Sequence, residues 1–191
     1  MMRKDIITVL ISSFILLGSS CSDDNTFSTS GNSNNQYDDS SSTNEWLIPK
    51  DEVYDGGPGK DGIPSIDRPK FISVNEAGYL ENDDLVIGLN INGEVKAYPH
   101  KIMDWHEIVN DEMGDRKISV TYCPLTGTAV AWNRTINGNT TTFGVSGLLY
   151  NNNLIPYDRK TDSRWSQMRM DCVNGKLKGK KLNTYQVVET R

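Results

Sequence analysis

Two of the three Asn-Gly dipeptides in the chain, at positions 92–93 and 137–138, each lie between short runs of apolar and β-branched residues. Asparagine and glycine both tolerate the positive φ of a type I′ turn, so an Asn-Gly pair between such runs is the strongest short-range signal for a β-hairpin. The first hairpin would pair residues 85–91 with 94–98, and the second would pair residues 128–132 with 140–145. The chain is therefore predicted to build antiparallel sheet.

Further short apolar runs, each bounded by turn-forming residues, predict more strands. They occupy residues 71–74, 118–122, 148–150, 154–157, 165–168 and 179–188. One segment differs, because Pro99 suits the first turn of a helix and Ile102, Trp105 and Val109 fall on one helical face. The predicted fold class is mainly β (α+β), an antiparallel barrel or sandwich-like domain with one helix insertion around residues 99–113.

The first twenty residues have the composition of a lipoprotein signal peptide. Arg3 and Lys4 give a positive start, residues 6–18 are mostly apolar, and small residues then lead to Cys21. The apolar run has the length of a signal-peptide core and is short for a bilayer span. We predict a signal peptide over residues 1–20 and a lipidated Cys21 that anchors the protein to a membrane. An ordinary secretory signal with an incidental cysteine is the alternative.

An acidic stretch, Ser22-Asp23-Asp24, follows Cys21 directly. It resembles the surface-export signal of Bacteroidetes lipoproteins, which implies an outer-membrane lipoprotein at the cell surface or on the periplasmic face. The same acids also suit the start of a solvated tail. Residues 22–44 contain hardly any apolar side chains, so burial cannot offset the entropy of ordering them. Residues 21–44 are therefore predicted to form a disordered tether.

The globular part is predicted to span residues 45–191, which is long enough for one domain with a hydrophobic core. The chain carries a formal net charge of -5 and has a pI near 5.0. An acidic chain without a basic cluster offers no electrostatic footprint for nucleic acid, so no nucleic-acid partner is expected. The membrane, reached through the lipid anchor, is the one partner that the sequence predicts.

Three cysteines are present, and the predicted lipid anchor uses Cys21. Cys123 and Cys172 remain, and two thiols outside the cytoplasm are candidates for a disulfide. Whether they can bond depends on the fold, because a disulfide holds its two Cα atoms within about 7 Å of each other. A disulfide and two free thiols both stay open at the level of sequence.

Several longer motifs resemble the DUF3179 family from about residue 47 to the end of the chain. They are Leu-Ile-Pro-Lys-Asp-Glu at 47–52, Lys-Asp-Gly-Ile-Pro at 60–64, Trp-His-Glu-Ile-Val-Asn at 105–110, Tyr-Cys-Pro-Leu at 122–125, Phe-Gly-Val-Ser-Gly-Leu-Leu-Tyr-Asn at 143–151, Tyr-Asp-Arg at 157–159 and Trp-Ser-Gln at 165–167. The resemblance implies no established biochemical role. Family members often carry a second cysteine or selenocysteine at the position of Thr126. Their chains usually continue beyond the point that matches Arg191, so a C-terminally truncated domain is one interpretation of this sequence.

Cys123 is the centre of the candidate site. It follows a predicted strand and begins the turn Cys-Pro-Leu-Thr, where a side chain is held firmly and can still be reached. Because the family's second position is often cysteine or selenocysteine, the resemblance implies thiol redox chemistry. Thr126 carries no sulfur but can donate a hydrogen bond to a Cys123 thiolate, and His106 can act as a base. Cys123, His106 and Thr126 are therefore the candidate catalytic residues.

Two other functions stay open. Cys123, His106 and His100 are ligand types that zinc or copper accepts, although their irregular spacing is a weak signal. Alternatively, Cys123 is a buried small apolar residue, and the protein is a surface binding or structural domain without catalysis. The sequence implies no cofactor, and it leaves open whether the protein is an enzyme.

The loop over residues 55–64 holds four glycines and two prolines, and we interpret it as a structural turn region rather than a phosphate site. A later group of aromatic and charged residues would either line a ligand cleft or form core aromatics with a structural Asp–Arg pair, and we favour the second. Its members are Tyr150, Tyr157, Asp158, Arg159 and Trp165.

Overall fold

The computed structural model describes residues 7–11 and 45–191, which form sixteen β-strands, one α-helix and two short turns of 3-10 helix. The strands are β1 (Ile7–Ile11), β2 (Val53–Asp55), β3 (Lys70–Ser73), β4 (Val86–Ile91), β5 (Glu94–Pro99), β6 (Ile108–Met113), β7 (Arg116–Cys123), β8 (Thr128–Asn133), β9 (Thr135–Ile136), β10 (Asn139–Thr140), β11 (Phe143–Tyr150), β12 (Asn153–Asp158), β13 (Arg164–Ser166), β14 (Asp171–Asn174), β15 (Thr184–Tyr185) and β16 (Val187–Thr190). The helix α1 is His100–His106, and the 3-10 turns are Lys50–Glu52 and Val74–Glu76.

These strands form three larger sheets and one small hairpin. The first outer sheet has the strand order β16-β4-β5-β1-β3, and the second outer sheet has the order β14-β13-β12-β11-β2. The central sheet has the order β15-β8-β7-β6, and β9 pairs only with β10. All pairs are antiparallel except β1 with β5, which is parallel.

The central sheet is buried on both faces. Successive side chains of a strand point to opposite faces, so neighbours in sequence join different cores. Val109 and Val120 pack with residues of β4, β5 and α1, whereas Ile108, Cys123 and Trp132 pack with residues of β11 to β14. The molecule is therefore a three-layer sandwich. The predicted mainly β, sandwich-like class with one helix is confirmed, and the described strands do not close into a barrel.

The single helix is shorter than predicted. It ends at His106, and Glu107 follows with φ 55° and ψ -31°, which no helix can continue. From Ile108 the chain is strand β6, paired in register with β7. Trp105 is 76% exposed and does not lie on a buried helical face. The apolar spacing was misleading because β6 is covered on both sides, so adjacent apolar residues are buried there without any helical period.

The first predicted hairpin is confirmed, since β4 and β5 are antiparallel neighbours joined at Asn92-Gly93. The second is wrong in its partners. Asn137-Gly138 joins only the short strands β9 and β10, while β8 belongs to the central sheet and β11 to the second outer sheet. The chain changes layer between them, and Arg134 N–H donates to the Lys117 carbonyl at 2.9 Å where it leaves the central sheet. A turn signal specifies a local reversal and not the sheet that the next strand joins.

The predicted lipidation site Cys21 and the predicted tether lie outside the described residues. Part of the predicted signal peptide is described, as strand β1 between β5 and β3 in the first outer sheet. Among the described residues, no helix is long and apolar enough to cross a bilayer.

Candidate functional site

Cys123 is the last residue of β7 and the first residue of the tight turn that leads into β8. Thr126 N–H donates to the Cys123 carbonyl at 3.3 Å, which closes the four-residue turn. Gly127 follows with φ 57°, a conformation that glycine adopts without strain. Cys123 is 1% exposed, whereas Leu125 at the tip of the turn is 68% exposed. The thiol therefore faces the core between the central and second outer sheets.

Both remaining cysteines are free thiols, and no disulfide joins them. The Cys123 thiol donates a hydrogen bond to the Asn152 carbonyl at 3.5 Å, a distance acceptable for sulfur. Cys172 is fully buried in β14, and this burial raises the pKa of its thiol to about 12. Cys172 is therefore protonated near neutral pH and is a poor partner for thiol exchange.

A buried chain of side-chain hydrogen bonds, here called the amide relay, holds the Cys123 turn against the second outer sheet. Asn153 Nδ2 donates to Thr126 Oγ1 at 3.0 Å and to Gln167 Oε1 at 2.6 Å. Gln167 Nε2 donates to Thr121 Oγ1 and to the Thr128 carbonyl, both at 3.0 Å. Asn153 is 4% exposed and Gln167 is fully buried. The relay thus ties β12 and the segment after β13 to both strands that flank the turn.

The direction of the relay is fixed by its last acceptor. The Thr128 carbonyl can only accept, so Gln167 must turn its amide nitrogen towards it and its oxygen towards Asn153. Asn153 must then present its nitrogen to Gln167, which leaves Asn153 Oδ1 buried without a hydrogen-bond donor among the described residues. Rotating either amide would oppose two acceptors or two donors. Buried polar atoms are normally paired, so this oxygen calls for a donor from a water or a ligand.

The His106 ring contacts the glycine- and proline-rich loop. His106 Nδ1 lies 2.7 Å from the Pro64 carbonyl oxygen, so this nitrogen carries a proton and directs the ring towards the glycine- and proline-rich loop. Of the three candidate catalytic residues, Cys123 and Thr126 share one turn, and His106 lies at the C-terminal end of α1.

His100 lies at the other end of α1 and packs its ring against Tyr122, with 4.4 Å between ring centroids. Its Nε2 atom is 3.7 Å from Glu189 Oε2, beyond hydrogen-bond distance. No group of three or more His, Cys, Asp or Glu side chains in the described residues is placed to hold a metal ion. Cys123, His106 and His100 therefore do not share a metal centre in this fold.

Glu107 is a residue of interest that the sequence did not indicate. Its φ of 55° and ψ of -31° lie in a region that side-chain-bearing residues avoid. Its carbonyl accepts a hydrogen bond from Tyr122 N–H at 2.7 Å, next to Cys123 in the chain. Burial raises the pKa of the Glu107 carboxyl to about 7. A glutamate inside a predicted helix gives no sequence signal for either property.

Arg159 fixes the glycine- and proline-rich loop to β11. Its two guanidinium nitrogens lie 3.0 Å from Asp61 Oδ1 and 3.2 Å from Asp67 Oδ1, and one also donates to the Phe143 carbonyl at 3.1 Å. Tyr157 adds a short hydrogen bond to Asp61. Because two carboxylates and a backbone carbonyl bind the guanidinium, this group acts as a structural clasp between the loop and β11.

Trp165 and Asp158, two further members of that aromatic and charged group, also make structural contacts. Trp165 is fully buried and donates its indole N–H to Asp158 Oδ2 at 3.1 Å. Asp158 also accepts from Thr161 N–H at 2.7 Å, so its carboxylate organises the turn after β12. The predicted core aromatics are present, but Arg159 pairs with Asp61 and Asp67 rather than with its neighbour Asp158.

The fold and site define an antiparallel three-layer β domain with a buried free thiol in a clamped turn. The family model described as a protein of unknown function (DUF3179) matches residues 60–191, more than half of the chain. The chain belongs to the DUF3179 family. No curated protein and no solved structure matches it.

Proposed function

We propose that the protein is an exported lipoprotein, held at the outer membrane through lipidated Cys21, whose domain exchanges thiols and disulfides through Cys123. The observation that carries the thiol proposal is the amide relay, which clamps the turn of a free cysteine and leaves Asn153 Oδ1 without a donor. Buried polar atoms are normally paired, and of the four side-chain atoms without a partner among the described residues, Asn153 Oδ1 is the one that belongs to the amide relay. The backbone N–H of a peptide substrate is the type of donor that this oxygen accepts.

The reaction is a sulfur exchange in two steps. The Cys123 thiolate attacks one sulfur of a substrate disulfide, a new S–S bond forms, and the second sulfur leaves with the electron pair of the broken bond as a thiolate. A second thiolate then attacks the mixed disulfide and releases Cys123. Thr126 has no sulfur, and Cys172 is held protonated by its raised pKa of about 12. The resolving thiol is therefore supplied by another molecule, such as a dithiol reductant or a substrate protein.

Access to Cys123 requires the turn to open. Cys123 is 1% exposed, and the hydrogen bond from Asn153 to Thr126 holds the turn in place. Thr126 Oγ1 accepts that bond and retains its own hydrogen for donation, so the same hydroxyl can stabilise a thiolate after opening. The relay thereby gives Thr126 a defined orientation in the proposed exchange.

A binding domain without catalysis is the second candidate, and one observation favours it. Cys123 is buried and donates its hydrogen to the Asn152 carbonyl, which is how an unreactive structural thiol behaves. Leu125 in the turn and Met168 directly after Gln167 are 68% and 58% exposed. In this candidate the exposed apolar side chains, and not the thiol, would contact a partner.

Thiol release by an aromatic disulfide reagent separates the two candidates. With Cys21→Ala as background, the folded protein is expected to form one mixed disulfide at Cys123 and to release one equivalent of coloured thiolate. Thr126→Cys restores the second sulfur of the family motif, so it is expected to resolve the mixed disulfide and to release two equivalents. Thr126→Ser is the matched control and should release one.

Mass spectrometry of the peptides that contain Cys123 and Cys172 locates the modification. Buried Cys172 should stay unmodified in the folded protein and serve as the internal reference. If Cys123 reacts only when a denaturant exposes Cys172 as well, thiol exchange is wrong and the binding domain remains.

A further inference from the structure

Strand β1 is an inner strand of the first outer sheet, between β5 and β3. Ile7–Ile11 runs parallel to β5, with Val9 opposite Ala97, and antiparallel to β3, with Val9 opposite Ile72. The strand is therefore paired along both of its sides. The order β16-β4-β5-β1-β3 places β3 in this sheet only through β1.

The same five residues lie within the segment 1–20 that is removed when a lipoprotein is processed at its lipidated cysteine. Processing would take an inner strand out of the sheet. Neighbouring strands lie about 4.8 Å apart, so its loss leaves a gap of about 9.6 Å between β5 and β3. Backbone N–H and C=O groups on both walls of this gap, here called the strand slot, would lose their partners.

Apolar side chains predominate on both faces of the slot, and one face also carries the Lys96 ammonium, which is paired with Asp111 at 2.9 Å. On the face towards the central sheet, the Phe71 ring packs edge-on against Tyr98, 5.7 Å between centroids, and the Lys96 ammonium lies 4.4 Å from the centre of the Phe71 ring. On the opposite face, Ile72 and Ala97 belong to one small apolar cluster. That cluster also includes Ala77, Leu80 and Val86. A groove of about 440 Å³, lined in part by Ala97, opens on this side.

We propose that the strand slot of the mature protein takes up an extended β-strand from another polypeptide, parallel to β5 and antiparallel to β3. The proposal depends on the leader removal included in the proposed function, and it is independent of the thiol chemistry. Two facing rows of peptide groups at strand spacing match a polypeptide backbone, which pairs with both rows at once, and no apolar small molecule can do so. Since apolar side chains predominate on both faces and the one ammonium there, that of Lys96, is already paired with Asp111, the segment should be uncharged and rich in β-branched residues, as the Ile-Thr-Val-Leu-Ile of β1 is.

The first test adds the strand back as a separate peptide. The mature protein is purified from membranes and mixed with a fluorescent peptide of residues 5–13. Binding is expected to raise the fluorescence anisotropy and to slow hydrogen exchange at the amides of residues 70–73 and 95–97. A peptide with Val9→Pro lacks a backbone donor and fits a sheet interior poorly, so it should bind at least about tenfold more weakly.

The second test uses the uncleaved full chain, in which β1 fills the slot. This chain should not bind the peptide, whereas its Val9→Pro variant should bind it because the internal strand is displaced. Ser13→Pro, placed beyond the end of β1, is the matched control and should not bind. Circular dichroism checks that each variant keeps its sheet content.

The proposal is overturned if the folded mature protein does not bind the peptide and the amides of residues 70–73 and 95–97 are nevertheless protected from hydrogen exchange. The chain would then have closed the slot itself. A purified membrane form that still carries residues 1–20 by mass would instead refute the leader removal. In that case the test is peptide binding by the full chain that carries Val9→Pro. If this variant does not bind the peptide, the inference is overturned.

Discussion

Glu107 combines a disfavoured backbone conformation with a carboxyl whose acidity is altered. It lies between the end of α1 and the start of β6, and its φ of 55° with ψ of -31° allows the chain to turn directly from helix to strand. Strain of this type persists only where the surrounding structure enforces it, here through the hydrogen bond from Tyr122 N–H to the Glu107 carbonyl. Since Tyr122 precedes Cys123, the strained residue braces the strand end that carries the thiol.

The raised carboxyl pKa makes stability depend on pH in a predictable direction. In the folded protein the pKa of Glu107 is about 7, above its ordinary value of 4.5, so the folded state favours the protonated form. This contribution is fully present below pH 4.5 and is lost as the pH rises through about 7. Glu107→Gln, which stays neutral, should match wild type near pH 4.5 and exceed it at about pH 8 by roughly 1 kcal/mol, after allowance for solvent screening of a partly exposed group.

Urea unfolding at the two pH values measures this difference. Glu112→Gln is a useful control of opposite sign, because the hydrogen bond with Lys117 lowers the pKa of Glu112. That contribution is present above the ordinary pKa and is lost as the pH falls, so the control variant should be the less stable protein at the higher pH. A Glu107→Gln effect that does not change with pH would contradict the assignment.

The residues of the site divide into those that local sequence identifies and those that it does not. Thr126 is identifiable because it shares the Cys123 turn. Asn153 and Gln167 are not, since Asn153 lies 27 residues from Thr126 and Gln167 lies 46 residues from Thr121, and only sheet packing brings them together. The contact of His106 Nδ1 with the Pro64 carbonyl joins residues 42 positions apart, so local sequence does not predict it either.

Among the elements, β11 shows how a missing side chain permits a clasp. A Cβ at Gly144 would lie 2.5 Å from Asp61 Oδ1, 2.7 Å from the Tyr157 ring and 3.0 Å from the Arg159 guanidinium. The glycine therefore lets these side chains lie directly on the strand and fasten the loop that precedes β3. Glycine usually weakens a strand, and here the closeness of the clasp explains its presence.

Gly144→Ala is expected to destabilise the protein by about 1–3 kcal/mol, the range for overpacking a well-filled site. Gly88→Ala is the matched control, because β4 is also a strand and the added Cβ would meet only the Val188 carbonyl at an ordinary 3.5 Å. Chemical denaturation of both variants gives the comparison. If both variants lose the same stability, the loss is a general effect of replacing a strand glycine, and the close contacts of Gly144 with the clasp do not add to it.

The strands and the helix were predicted correctly from the sequence where the signal was local. They were predicted wrongly where the packing of one sheet against another determines the structure. The β4–β5 hairpin follows from Asn92-Gly93 and its flanking runs alone. The helix was extended too far because Ile108 and Val109 are buried on opposite faces of β6, a situation that apolar spacing cannot distinguish from a helix. The partners of β8 and β11 could not be predicted, because the change of layer between them depends on contacts remote in sequence.

At the scale of the whole molecule, short strands and frequent turns were sufficient to predict a mainly β domain but left a barrel and a sandwich open. The third layer was not predictable, because β7 alternates apolar and polar residues over 118–122 as a strand with one solvated face does, yet both of its faces are buried. The central sheet consequently contains polar residues that the packing must satisfy, among them fully buried Thr121 in the amide relay. The Cys123 site is thus a consequence of placing a polar-lined sheet in the middle of the molecule.

The attachment of the whole molecule is tested through Cys21. An apolar run that ends at a cysteine is the feature on which lipid transfer depends, so Cys21→Ala should move the protein from the membrane fraction to the soluble fraction. Ser20→Ala keeps a small residue beside the acceptor and should leave the protein in the membrane. Immunoblots of the separated fractions measure the distribution. Retention of Cys21→Ala in the membrane would show that the apolar run or a partner, and not a lipid, holds the protein there.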